Sequence, residues 1–506
     1  MALAEILESV QPKDFRYSIQ KIDTYDRERH ITLDHALKLL EGEGLEDSKL
    51  KEAISTDKIR LYEFNDEKYL DRLDIGRVYE NIREEKTGLR VDRYFTTEGT
   101  NPLETEKYSK RNLKIKNREG KVIFEMDAEF PESWDDNSAK IVAQKYFFRP
   151  DKKEWQNEMK AKIGQIEENS LTHLINRVTN FFADEGERLG YFQTKKDKEV
   201  FRDELLWLQL HRRGAFNSPV QFNAGIFNEY GIEGSHSINY YRDPETGEIT
   251  KMISGEYIRP QSHACFITGP RDDLESILQH TVNEGAIFSA GSGVGQDIGA
   301  LREARAALSG GGKASGPLSF LKVMDDNAGI IKSGGKSRRA ARMTTMRYHH
   351  PDIMKFIRGK VREDYKALLL MKAGLEPGFE GEAYTSVKFQ NTNLSVRLDD
   401  HFFEQLERGG EVELRYIKNH KVAEKISADQ MLKEIAFGSW RIGDPAVQYE
   451  SKIQEYHTCK NSGLINSSNP CSEYMFLDNT SCNLASLNLL KFADKKGNIN
   501  IERYRK

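Results

Sequence analysis

The clearest periodicity in the first third of the chain has a period of two. In RNLKIKNREGKVIFEMDAEF (111–130) apolar and polar residues alternate on both sides of an REG triplet. That pattern predicts a β-hairpin closed by a glycine turn. Further along, the period lengthens to that of a helix. From roughly 158 to 190, Leu171, Leu174, Ile175, Val178, Phe181 and Phe182 fall on one face, which predicts one long amphipathic helix. DHALKLLEGEGLEDSKLKEAI (34–54) also carries helical spacing, with a glycine break. From about 200 the texture changes. Glycine-rich stretches recur at NSPVQFNAGIF (217–227), SHACFITGP (262–270), SAGSGVGQDIGALR (289–302), SGGGKASGP (309–317) and KSGGKSRRAARM (332–343). Between them LESILQHTVNEGAIF (274–288) and LSFLKVMDDNAGIIK (318–332) read as helices, and TNLSVRL (392–398) as a strand. Alternating strand, glycine loop and helix predicts an α/β layout with its site on the loops. The expected organisation is a charged α+β region over 1–155, a mainly helical domain over 156–215, and an α/β domain over 216–506.

Composition narrows the class. A net charge of −4 over 506 residues, with 38% hydrophobic and 31% charged residues, predicts a soluble globular chain. It provides no global field for nucleic acid or an anionic membrane, and neither is an expected partner. No run of about 18 apolar residues occurs; the longest aliphatic patch is KALLLM (366–371). The N-terminal MALAEILESVQPKDF has acidic residues inside its apolar stretch and no basic leader, so it is not a signal peptide and the cytoplasm is the expected compartment. Four cysteines do not make a disulfide scaffold. Three of them, Cys459, Cys471 and Cys482, lie within 24 residues, without the short pair spacing of a zinc site. The clustering points to redox chemistry, and no protein-ligated metal is expected.

Several stretches invite a chemical reading. SAGSGVGQD has G-x-G-x-G at Gly291, Gly293 and Gly295 but lacks the full dinucleotide fingerprint. SGGGKASG and SGGKSRR resemble phosphate loops, yet neither has P-loop spacing, and flexible surface turns explain them equally well. The run 332–347 holds Lys332, Lys336, Arg338, Arg339, Arg342 and Arg347. With almost no aromatic interleaving, it suits a nucleotide phosphate better than DNA. The stretch NPCSE (469–473) is the most informative. If extended, it turns Asn469, Cys471 and Glu473 toward one substrate. These supply an amide, a thiol and a proton-shuttling carboxylate. An acid beside a thiol disfavours the thiolate nucleophile and suits hydrogen-atom chemistry. Cys482 and one partner could then supply electrons by forming a disulfide.

The stretch TCKNSGLINSSNPCSEYMFLDNTSCNLASLNLLKF (458–492) resembles the finger-loop region of ribonucleotide reductases of the adenosylcobalamin-dependent class II type. FNSPVQFNAGI, SHACFI, SGVGQDIGALR and the two glycine–lysine loops appear in the family's order, and a weaker echo covers 93–125. The resemblance implies the family's ten-stranded α/β barrel, here as the first half-barrel, the finger loop and the start of the second half. It implies Cys471 as the transient thiyl radical, Glu473 as acceptor of the 3′-hydroxyl proton, and Asn469 as hydrogen-bond partner of the ribose hydroxyls. Cys265 and Cys482 become the electron-donating pair, and Cys459 is structural. Ser218, Ala264, Gly293, Pro470 and Ser472 match substrate-contacting positions. Asp272, Arg302, Gly311 and Lys313, with Gly334, Gly335, Lys336, Arg338 and Arg339, fall in effector and specificity-loop positions.

The partners so implied are a ribonucleotide, with diphosphates favoured by the long N-terminal region, a deoxynucleotide or ATP effector, a thioredoxin-type or other dithiol, and a second copy in a homodimer. The cofactor is adenosylcobalamin. The chain stops at Lys506, 24 residues past Cys482, so the resemblance also implies a complementing C-terminal half. Two other readings stay open, a catalytically silent nucleotide-binding subunit and nucleic-acid binding through 332–347.

Overall fold

Five parallel strands laid side by side in chain order organise the later part of the molecule. The computed structural model describes residues 19–21, 30–32, 61–64, 67–71, 88–117, 120–235, 240–243, 246–331, 340–378 and 381–506. Contacts divide the chain into two compact units, residues 1–102 with 179–207, and residues 103–178 with 208–506.

In the first unit a four-stranded sheet takes the spatial order Ile19–Lys21, Leu61–Phe64, Glu67–Asp71, His30–Thr32. Its Glu204 carboxylate accepts the backbone N–H groups of Tyr94, Phe95 and Thr96, and Phe95 stacks on Trp207 with ring centroids 4.4 Å apart. The helical pattern at 34–54 lies outside the described residues.

In the second unit the period-two stretch forms its hairpin, Tyr108–Lys116 pairing antiparallel with Val122–Pro131. Phe124, Met126, Ala128 and Phe130 are its buried alternate positions. The predicted helix from 158 to 190 is instead two, Lys153–Ile163 and Leu171–Arg188. Gly164 ends the first with φ 73, its N–H on the Lys160 carbonyl. The break has a cause in buried charge. Glu168, inside it, receives Arg177 Nε at 2.7 Å, with both side chains fully buried. A continuous helix would deny Arg177 that partner. Leu171, Leu174, Ile175 and Val178 are buried as the periodicity required, while Phe181 and Phe182 are half-buried.

The sheet follows. Strand β1 (Cys265–Ile267) leads through helix α1 (Leu274–Ser289) to β2 (Gly293–Asp297). Helix α2 (Pro317–Ile330) leads to β3 (Arg342–Arg347), α3 (Gly359–Lys372) to β4 (Asn393–Leu398), and α4 (Ala428–Ile442) to β5 (Ala446–Tyr449). A short hairpin, β6 (Ser467–Ser468) and β7 (Met475–Phe476), precedes β8 (Thr480–Cys482). The spatial order is β5-β4-β3-β2-β1-β8, with β8 antiparallel to β1 and the rest parallel. This is the expected half-barrel. Among the described residues no helix is long and apolar enough to cross a membrane.

The two faces of the sheet differ. Met346, Leu394, Val396 and Leu398 pack outward with Leu321, Met324, Phe356, Phe402 and Met431 in the helix layer. Each such burial stabilises the fold by about 1.5–3 kcal/mol. The opposite, inner face carries Gly293, Gly295 and Asp297 on β2, Thr345 and Arg347 on β3, Asn393, Ser395 and Arg397 on β4, and Gln448 on β5, matched by register. The 467–476 hairpin lies across this face. Its backbone explains the glycines. A Cβ on Gly295 would stand 1.6 Å from the Ser468 carbonyl oxygen, and one on Gly293 2.7 Å from Pro470 Cγ. The G-x-G, a partial match to a dinucleotide fingerprint and grouped with the glycine loops, is therefore a buried strand whose glycines admit a second backbone.

Two predictions follow from this packing. Gly295→Ala should destabilise the unit by at least about 1–3 kcal/mol in urea unfolding, whereas Gly310→Ala, where a Cβ meets nothing within 4 Å, should be near neutral. Equal effects would contradict the close approach. Burial pushes the Asp297 carboxyl up from 3.8 to about 6, against the pull of Arg347. The stabilising share of such a raised group is complete below its unfolded value and is lost as pH rises through about 6. The displacement is worth about 3 kcal/mol. Asp297→Asn should thus gain on wild type by up to that amount as pH rises from about 3 to about 7, most of it between about pH 4 and about pH 6. Parallel pH profiles of unfolding for the two chains would refute it.

Candidate active site

The hairpin tip is a turn. Asn469 and Pro470 occupy its first two positions, where Asn and Pro are favoured, and Ser472 N–H donates to the Asn469 carbonyl at 3.0 Å. Ser472 itself has φ 68. Asn469 closes the turn from both ends, its N–H donating to the Tyr474 carbonyl and its Oδ1 accepting the Tyr474 N–H, each at 2.9 Å. The expectation of an extended NPCSE, with 469, 471 and 473 facing one way, is corrected. Asn469 is fully buried beneath the turn, while Cys471 and Glu473 are exposed. The turn is held to the sheet by Gln448 Nε2, which donates to Ser468 Oγ and Ser472 Oγ at 2.8 Å, and by Asn393 Nδ2, 3.0 Å from the Pro470 carbonyl.

Under the turn lies a pair of cysteines. Cys265 on β1 stands directly opposite Cys482 on β8, and Gly293 on β2 continues the row. Both thiols are buried in one cluster with Ala264, and Tyr474 and Leu484 pack on it. Asn469 Nδ2 lies 3.6 Å from Cys265 Sγ. The Cys482 thiol is held well above its ordinary value, first by its hydrogen bond with Cys265, then by burial, then by the Cys265 and Glu473 charges. The carboxylate of NPCSE therefore acts on Cys482. Two thiols in register across antiparallel strands fall within the separations that a disulfide spans.

The remaining predicted residues divide. Ala264 N–H donates to the Cys482 carbonyl at 3.1 Å, and Gly293 N–H to the Ala264 carbonyl at 2.9 Å. Asn217 N–H donates to the Leu484 carbonyl at 2.9 Å, which brings Ser218 to the same end of the sheet; Tyr146 Oη and Ser218 Oγ are 3.2 Å apart. Asp272 and Arg302 pair with each other instead, Arg302 Nε 2.8 Å from Asp272 Oδ2. They sit beyond the C-terminal ends of β1 and β2, the opposite end from Cys265. Gly311 and Lys313 belong to a turned-back loop in which Arg305 N–H donates to the Ala314 carbonyl and Ala314 N–H to the Ala306 carbonyl, both at 2.8 Å. Gly334, Gly335, Lys336, Arg338 and Arg339 lie outside the described residues. Cys459 is half-buried, its N–H donating to His457 Nδ1.

Sequence reasoning missed Gln448, Asn393, Gly295 and Tyr474, which hold the turn in place. The glycines two apart in GVG and the polar alternation of TNLSVRL carried a signal for Gly295 and Asn393. Gln448 in AVQY carried none.

Comparison with known proteins identifies the family. Residues 263–506 match the ribonucleotide reductase barrel domain, and residues 109–212 match the class II vitamin B12-dependent ribonucleotide reductase family. The vitamin B12-dependent ribonucleotide reductase of Rhodopirellula baltica is 43% identical over 428 residues, covering 84% of this chain and 40% of that protein. The vitamin B12-dependent ribonucleoside-diphosphate reductase of Thermoplasma acidophilum is 34% identical, over 56% of this chain and 35% of that protein. Among solved structures, the Actinobacillus ureae class Id ribonucleotide reductase alpha subunit is 13% identical with a TM-score of 0.42, covering 67% of this chain and 50% of that one. The chain spans about two fifths of the length of its first relatives. The matched domains and the identity over most of its length place it: this chain belongs to the class II, vitamin B12-dependent ribonucleotide reductases.

Proposed function

We propose that this chain carries the radical and reducing half of a ribonucleotide-reducing site, completed by a C-terminal half. The observation that carries the reading is the row Cys482, Cys265, Gly293 beneath an exposed Cys471. Membership of the family implies adenosylcobalamin as cofactor. The residues fit it in that Cys471 is exposed at the turn, within reach of a radical partner, while the other two thiols are buried. When bound, the cofactor supplies a carbon-centred radical by homolysis of its cobalt–carbon bond.

In this reading the Cys471 thiyl radical takes the hydrogen atom from ribose C3′. Glu473 accepts the 3′-hydroxyl proton, and Asn469 Nδ2, beside Cys265, is the amide donor for the ribose hydroxyls. The 2′-hydroxyl leaves as water with a proton from the Cys265–Cys482 pair. The two thiols give up two electrons and become a disulfide, their second proton goes to C2′, Glu473 returns its proton to the 3′ oxygen, Cys471 returns its hydrogen to C3′, and an external dithiol of thioredoxin type regenerates the pair. The raised Cys482 thiol supports this order, because a protonated thiol can deliver a proton with its electrons. Ser218, Ala264, Gly293, Pro470 and Ser472 line the substrate side.

Ribonucleoside diphosphates are the proposed substrates, in keeping with the Thermoplasma relative's name. A deoxynucleotide or ATP effector is read by the loops around 309–317 and 332–339, with Asp272 and Arg302 near it, at the interface of a homodimer. Leu274, Leu278 and Val282 on α1 and Val323 and Ile330 on α2 are exposed apolar residues on regularly spaced helix faces, which supports such an interface. Among the described residues nothing pairs with the outer edge of β5, which supports a complementing half. The cytoplasm is the proposed compartment.

Reduction of CDP with adenosylcobalamin, a dithiol and a deoxynucleotide effector tests the reading, with the C-terminal half of a relative supplied. Cys471→Ser should lower turnover on the order of 10³-fold or more, about 4 kcal/mol in barrier; retained turnover sinks the mechanism. A second check needs no activity. Mild oxidation should form one disulfide, Cys265–Cys482, found by peptide mapping, with Cys459 and Cys471 still alkylatable. Any other pairing as the main product argues against the assigned pair.

A further inference from the structure

At the C-terminal ends of its strands the inner face carries a largely buried charged cluster. Asp297, Arg347 and Arg397 stand at the C-terminal ends of β2, β3 and β4, and Glu450 follows β5 directly. Arg347 Nη2 is 3.1 Å from Glu450 Oε1, Arg347 Nη1 is 3.8 Å from Asp297 Oδ2, and Arg397 Nε donates to Glu450 Oε2. Arg397 is fully buried, with no partner for Nη1 or Nη2 among the described residues. Glu450 joins two cations at one carboxylate.

The cluster grips the finger hairpin where it leaves and rejoins the sheet. Arg347 Nη2 also donates to Asn466 Oδ1 at 3.1 Å, and Thr345 Oγ1 to the Asn466 carbonyl at 3.0 Å. Asn466 Nδ2 reaches across to Asp478 Oδ2 on the returning leg at 3.0 Å. Gln454 Nε2 bridges Glu450 Oε1 at 3.0 Å and the Ile465 carbonyl at 2.7 Å. From Asn466 the chain runs through Ser467, Ser468 and Asn469, all fully buried, to the turn.

Buried ion clusters of this kind are poor stabilisers, since packed apolar groups often serve the fold as well or better. What such a cluster provides is fixed direction and distance. We propose that the Arg347–Glu450–Arg397 cluster, acting through Asn466, is a positioning device that sets where the finger turn, and hence the Cys471 thiol, stands over the Cys265–Cys482 pair. Its mechanical part concerns the hairpin alone; its effect on catalysis rests on the function proposed above.

Hydrogen exchange on the full chain tests the mechanical part. Asn466→Ala cuts the link and leaves the charges paired, so it avoids the risk that Glu450→Gln will not fold. In either variant, exchange across 466–476 should quicken on the order of tenfold, while peptides from β2 and β4 keep the wild-type rate. No change at 466–476, or acceleration of the whole sheet together, overturns the proposal. In the reconstituted enzyme, Asn466→Ala should lower kcat on the order of tenfold to a hundredfold and leave KM within about twofold. A loss confined to KM, with kcat unchanged, would also overturn it. If no chain turns over, wild type included, the function proposed above fails and the exchange result still decides the positioning.

Discussion

One close approach governs the site. The backbone of Ser468 passes so near Gly295 that no side chain fits between them, so a hairpin can lie against the inner face of a parallel sheet. Barrel interiors are ordinarily filled by layers of branched side chains. Here a segment of main chain takes that place, and main chain brings donors and acceptors that must be met away from water. The polar inner row answers that demand. Asn393 donates to the Pro470 carbonyl, Gln448 to the Ser468 and Ser472 hydroxyls, and Thr345 to the Asn466 carbonyl. Glycine on β2 and polar residues on β3, β4 and β5 are two consequences of one buried loop.

The same constraint separates what the amino-acid sequence revealed from what it concealed. Helices α1 and α2 and strand β4 were legible because apolar residues recur along each at the spacing of its element, Ile277, Leu321, Met324, Leu394 and Val396 among them in the core. The 111–130 hairpin was legible for the same reason. The break at Gly164 was not, because it depends on Glu168 reaching Arg177, a pairing that no local pattern encodes. GVGQD looked like a loop because glycine usually signals backbone freedom; here it signals a neighbour visible only once the chain has folded back 173 residues later, from Gly295 to Ser468. NPCSE was singled out by residue type, yet Asn469 and Pro470 favour a turn over an extended strand. The pairing of Cys265 with Cys482 came from family resemblance, since the 216 residues between them carry no signal of register.

The electrostatics of the site reward a separation of tasks. In linear sequence Glu473 is two residues from Cys471, which invites reading the acid and the thiol as one unit. In the fold Glu473 instead joins Cys265 in holding the Cys482 proton in place. A carboxylate that keeps a neighbouring thiol protonated opposes thiolate chemistry there. It favours a dithiol that gives up proton and electrons together. The exposed thiol at the turn, outside that buried pair, is then the one suited to exchanging a single hydrogen atom with a radical partner. Burial thus assigns different chemistry to identical side chains. The two cysteines in strand register can close a bond with each other, while the third, raised on a turn pinned by Gln448 and Asn393, is carried by a different element and, in the proposed reaction, takes a different step.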